Sequence, residues 1–155
     1  MKIANIDIGR QGNFILAIVL LYFLFFGYVC NATGKNIGIK LIFLYQVLFN
    51  PTTFFSFIIL FAIVFIMALR ENFFEYAIRN SIWLIPAIIF MSWFWYWFIY
   101  GFNYTVIYIY FIRIEGVLTI VSLVCTNLLA AILASIIKER RKLEKKALIE
   151  EITQN

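Results

Sequence analysis

The chain has 155 residues, of which 65% are hydrophobic and only 14% charged, with a net charge of +5. A soluble domain carries roughly 25% charged residues, and a fold of this length has too little interior to hide so much apolar surface from water. Composition therefore argues against a soluble domain, and the crowding of six of the thirteen Lys and Arg residues into positions 138–146 argues against a distributed nucleic-acid-binding face.

The first uncharged stretch runs from Gln11 to Gly34, and its apolar part predicts a span over 14–30. A spanning helix needs about 20 such residues. The run is rich in Phe, Leu and Tyr to its end, and no small-x-small cleavage site follows. A retained span is therefore expected rather than a signal peptide. Val29 before Cys30 also argues against a lipoprotein site.

The next uncharged run, 41–69, is too long for one span and is interrupted by Asn50-Pro51-Thr52-Thr53. Proline favours a helix start here. The reading is a second span over 52–69, with 39–49 as a short interfacial or re-entrant helix. One long kinked helix is the alternative.

Residues 70–80 read as a polar connector. Glu71 and Glu75 are four apart, as are Glu75 and Arg79. That spacing suits a solvated helical turn better than a carboxylate site.

The third span is expected over 81–100. Trp93, Trp95, Trp97 and Tyr100 crowd one end. Such rings collect at the headgroup level, where one edge is dry and the other wet. An aromatic belt is the plain reading, and a stacking site for a ligand is the sharper one. Pro86 lies one turn inside and is expected to kink the helix. Residues 101–115 follow, rich in β-branched and aromatic side chains. They suit an extended segment at the outer surface or an aromatic interfacial helix.

The fourth span, 116–137, is the clearest. Residues 138–155 form a charged tail of good helix formers, so the helix is expected to continue for ~24 Å. Leu143, Ala147 and Leu148 share one face of it. The basic cluster Lys138, Arg140, Arg141, Lys142, Lys145 and Lys146 is expected at the anionic membrane surface.

With four spans, ten of the thirteen basic residues fall on one side. They include Lys2, Arg10, Arg70 and Arg79 besides the tail, and only Lys35, Lys40 and Arg113 face the other way. The positive-inside rule then places both termini in the cytosol. The expected fold is an all-α membrane protein of four transmembrane helices, with a short interfacial segment and a cytosolic C-terminal helical extension. Residues 1–137 are its transmembrane domain and 138–155 its tail.

Chemistry-bearing residues are scarce. There is no histidine, Asp7 is the only aspartate, and the four predicted spans contain no Asp, Glu, Lys or Arg. Proton relays and ion-coupled sites normally need such groups within the membrane. No catalytic, cofactor-binding or metal-binding residue is expected, and no enzyme activity. Cys30 and Cys125 lie at different depths, so no disulfide is expected.

What the fourth span offers is a packing face. Ser122, Thr126, Ala130 and Ala134 recur every four residues, with Asn127 beside them. Small side chains let helices approach closely. The partner is another helix of the chain or a different subunit, while Leu123 is expected to face lipid. Asn31-Ala32-Thr33 and Asn103-Tyr104-Thr105 match the N-glycosylation pattern, both in expected outer loops.

In size, span number and aromatic content the chain resembles immunity proteins that guard cells against pore-forming bacteriocins. It also resembles small accessory subunits of respiratory, secretion or transport complexes. The expected function is non-catalytic, through helix-mediated binding of another integral membrane protein in the bilayer. The alternative is a homo-oligomer that forms a pore, a channel or a holin-like assembly.

Overall fold

The computed structural model describes residues 8–71 and 73–154, and within these no side-chain detail for 8–10, 35, 36, 146–148 and 150–154. The described residues are almost wholly helical, with no strand among them. Four helical segments are long and apolar enough to cross a membrane: Gln11–Thr33, Pro51–Arg70, Phe74–Tyr100 and Ile114–Lys145.

The first is built from α1 (Ile8–Leu20), a π-helical turn (Leu21–Phe26) and α2 (Gly27–Thr33). Its buried residues are Ala17, Leu21, Phe25, Phe26 and Val29. A strict four-residue stripe drifts around a helix of 3.6 residues per turn. The wider π turn offsets that drift, and it also lets the neighbours Phe25 and Phe26 both point inward.

A 3-10 segment (Gly34–Leu41) and the short helix α3 (Tyr45–Leu48) come next. Gly38 takes φ 41°, a left-handed value that side chains resist, and its N–H donates to the Tyr100 hydroxyl at 2.8 Å. Leu41, Leu44 and Leu48 are fully buried, so the segment is packed into the protein rather than laid over it. Asn50 is extended (φ −83°, ψ 128°), which separates α3 from the following helix and removes the single long kinked helix.

The Asn50 carboxamide accepts from the Thr52 amide (3.0 Å) and hydroxyl (2.8 Å), with Pro51 opening a 3-10 turn, Pro51–Thr53. Helix α4 (Phe54–Arg70) follows. Thr53 and Ser56 both donate to the Val47 carbonyl, tying its start to α3.

Helix α5 (Phe74–Tyr100) starts earlier than the sequence suggests, so most of the 70–80 connector belongs to it, and it continues through Pro86. Helix α6 (Thr105–Ile112) occupies the stretch whose composition suits an extended strand. Helical pairing keeps its backbone polar groups satisfied among apolar neighbours, which outweighs intrinsic β preference. Asn103 starts α6 as Asn50 starts its turn, accepting from the Thr105 amide (3.0 Å) and hydroxyl (2.7 Å). The Asn103-Tyr104-Thr105 pattern is thus a helix-start device. Asn31-Ala32-Thr33 lies in α2, not in a loop.

Helix α7 (Ile114–Gln154) is continuous from the fourth span into the tail, 41 residues or ~60 Å. The turn from α6 is the single extended residue Arg113. It is so tight that a Cβ on Gly116 would overlap the Tyr110 carbonyl oxygen and lie 3.0 Å from its carbon.

The core sits where α4, α5 and α7 meet, with the first span packed alongside. Leu60, Val64, Leu84, Ile88, Leu123 and Ala130 are its centre. A second cluster joins Ile42, Phe43, Trp93, Val106 and Tyr110 at the aromatic end, and a third joins Ala68, Ala77, Ala131 and Ala134 at the basic end.

Candidate functional site

Three surfaces carry the candidate residues. On α7, Thr126 is 2% exposed and Asn127, Ala130 and Ala134 are fully buried, while Ser122 is half-buried. Ala134 meets Ala68 of α4 and Ala77 of α5 in one cluster. This face is therefore occupied within the chain and is not open to a partner. Leu123, expected on the lipid side, is fully buried and belongs to the same face. The exposed Val117, Leu118 and Val121 have the same chemistry, so hydropathy could not tell them apart.

The hydroxyls along the inner side of α7 bond back to their own helix. Thr119, Ser122, Thr126 and Ser135 each donate to the carbonyl four residues earlier. Asn127 instead reaches across, its Nδ2 donating to the Ser81 carbonyl of α5 at 3.0 Å. Its Oδ1 is buried with no partner. Replacing Asn127 by Leu removes one bond and one unpaired acceptor together. We expect Asn127→Leu to lower stability by only ~0.5–1 kcal/mol in a denaturant titration in mild detergent. A loss beyond ~3 kcal/mol would contradict this arrangement.

At the aromatic end, the four expected belt residues divide. Trp97 donates through Nε1 to the Asn103 carbonyl at 2.8 Å, and Tyr100 accepts from Gly38. Both present a polar edge as a belt requires. Trp93 departs from the belt. It is 5% exposed, lies edge-on to Tyr110 with centroids 5.4 Å apart, and its Nε1 has no partner. Trp95 packs against Tyr22 and Phe26, its Nε1 also buried without a partner. Tyr110 stacks on Phe43 at 6.1 Å, and burial raises the pKa of its phenol well above the usual value. Around this core the end of α5, the connector 101–104 and α6 expose Phe98, Phe102, Tyr104, Tyr108 and Phe111.

At the basic end, Arg140, Arg141, Lys142 and Lys145 are exposed. The side chain of Lys146 and the whole of Lys2 lie outside the described residues, as do the side chains of Ala147 and Leu148 in the tail stripe. Lys138 turns back to the bundle, its Nζ donating to the Leu69 carbonyl at 3.2 Å and to the Glu71 carbonyl. A cation there satisfies the last carbonyls of α4 and complements its dipole.

Glu71, read from the sequence as part of a solvated helical turn, is instead extended and only 3% exposed, and it accepts from Asn80 Nδ2 at 3.0 Å. A charged residue one position past a span reads as solvated, and nothing local announces the fold that covers it. Arg79 lies 4.8 Å over the Tyr76 ring. Cys30 and Cys125 are both free. Among the described residues, no group of three or more His, Cys, Asp or Glu is placed to hold a metal ion.

No protein-family model, no curated protein and no solved structure matches this chain.

Proposed function

We propose that the chain is a four-span membrane protein, with both termini in the cytosol, that acts by binding another integral membrane protein. The observation that carries this reading is the aromatic end. Helix α6 is held by Val106, Tyr110 and the close approach at Gly116, yet Tyr108 on it and Phe102 and Tyr104 in the connector before it are each at least 70% exposed. Large rigid aromatics on a fixed element suit a protein contact, because little side-chain entropy is lost on binding. Orientation is supported by the ten basic residues grouped on one side. A non-catalytic role is supported by four spans without Asp, Glu, Lys, Arg or His at 14–30, 52–69, 81–100 and 116–137.

The pore is the second reading, favoured by the unpaired Asn127 Oδ1 in mid-helix. It is weakened by the burial of Thr126 and Asn127 within a single chain, which leaves no wettable stripe for copies to share.

Purification in mild detergent, followed by mass spectrometry of what co-purifies, tests the choice. We expect a different membrane protein at fixed stoichiometry, lost on Tyr108→Ser. A homo-oligomer alone, with dye leakage from reconstituted vesicles that Asn127→Leu abolishes, would favour the pore.

A further inference from the structure

We propose that the groove along α7 just past the end of α4 holds the phosphate headgroup of an anionic lipid. The inference rests on the reading of the four long helices as membrane spans. Lys138, Arg141, Lys142 and Lys145 are spaced i, i+3, i+4 and i+7, which puts them on one face of α7. One turn earlier the same face is Ala131, Ala134 and Ser135, buried in the bundle. Where α4 ends, the small-residue stripe becomes a cationic one.

These four residues line a groove of about 480 Å³, with Glu144 the one carboxylate on its wall. Arg141, Lys142 and Lys145 form no ion pair among the described residues. Lys138 is held in place by the Leu69 and Glu71 carbonyls. Among the described residues, the groove thus has one fixed cation and three without an ion-pair partner.

A smaller cavity of about 50 Å³ adjoins it, sharing Lys138 and Lys142 and bounded by Phe73 and Phe74. Glu139 and Glu71 also border this cavity, but the Glu71 carboxylate is engaged by Asn80. Phe73 is 65% exposed and Phe74 49% exposed, at the start of α5 and flanked by charged residues. Exposed phenylalanines beside cations suit the boundary between acyl chains and headgroups. Acyl chains then lie against Phe73 and Phe74, and the phosphate sits among Arg141, Lys142 and Lys145. Arg141 supplies a planar fork that matches phosphate oxygens. An acidic protein segment would satisfy the cations but would leave the two phenylalanines in water, so the lipid is the better occupant.

The test uses the full chain in nanodiscs of equal phosphatidylglycerol and phosphatidylcholine with identical acyl chains. Native mass spectrometry then counts the lipids retained on the released protein. Retention of phosphatidylglycerol over phosphatidylcholine by about fivefold or more is expected, the factor one well-placed basic residue supplies at an anionic surface. Arg141→Gln should remove most of that preference. Arg70→Gln, equal in charge at the same end of the bundle but outside both cavities, should leave it intact. Equal retention of the two lipids overturns the proposal, as does an equal fall for Arg70→Gln, which would mean a diffuse charge effect. Failure of the chain to enter nanodiscs at all contradicts the membrane reading and the lipid site with it.

Discussion

Gly116→Ala lowers the stability of the purified protein, although Ala normally favours a helix over Gly by about 1 kcal/mol. The reversal comes from the turn between α6 and α7. A Cβ at position 116 overlaps the carbonyl oxygen of Tyr110, a backbone atom that cannot rotate aside as a flexible side chain can. The helices must separate, and α6 loses its seat on Trp93 and Phe43. Overpacking of this kind costs about 1–3 kcal/mol, and the rigidity of the obstacle puts Gly116 at the upper end. Gly27→Ala is the control with the opposite sign. Gly27 has helical φ and ψ and nothing within 4 Å of the added Cβ. It should be neutral or stabilising by about 0.5–1 kcal/mol. Denaturant titration of both variants in the same detergent checks the pair, and a neutral Gly116→Ala would contradict the tight turn.

Ala130→Leu has a comparable effect for a different reason. Ala130 is fully buried in the core it shares with Leu60, Val64 and Leu84. A leucine there must push α7 away from α4 and α5, at about 1–3 kcal/mol. It should lower the yield of folded protein and broaden its elution in gel filtration. Leu129→Ala, one residue along but 55% exposed, removes rather than adds volume, and detergent or lipid refills the space. A normal yield for Ala130→Leu would mean that α7 does not pack as described.

The four long helices were legible because length and apolar content alone decide them. The break at Asn50-Pro51 and the run of α7 into the tail were legible from local chemistry, a capping Asn with proline and a series of good helix formers. What faces inward along each helix was less so. In a soluble helix the polar face reveals the buried one, but a helix surrounded by lipid is apolar all round. Leu123 and Val121 are chemically alike, yet one is fully buried and the other 52% exposed. Only the small residues marked the interior of α7. The helical state of α6 and the burial of Trp93 depend on one another, since each packs through Tyr110, and no short window of sequence contains both. The π turn at Leu21–Phe26 was likewise invisible, because it answers to the shape of the bundle rather than to its own composition.

The arrangement of the chain across a bilayer is the claim on which the partner and lipid readings both depend. Cysteines placed singly at Lys40, Tyr104, Glu75 and Arg140 test it most directly, each an exposed position, in a background with Cys30 and Cys125 replaced by Ser. Intact cells are treated with a membrane-impermeant thiol reagent, then permeabilised and treated again. Four spans with cytosolic termini predict labelling of Lys40→Cys and Tyr104→Cys in intact cells, and of Glu75→Cys and Arg140→Cys only after permeabilisation. Labelling of Glu75→Cys or Arg140→Cys in intact cells, or protection of Lys40→Cys and Tyr104→Cys there, would contradict the account.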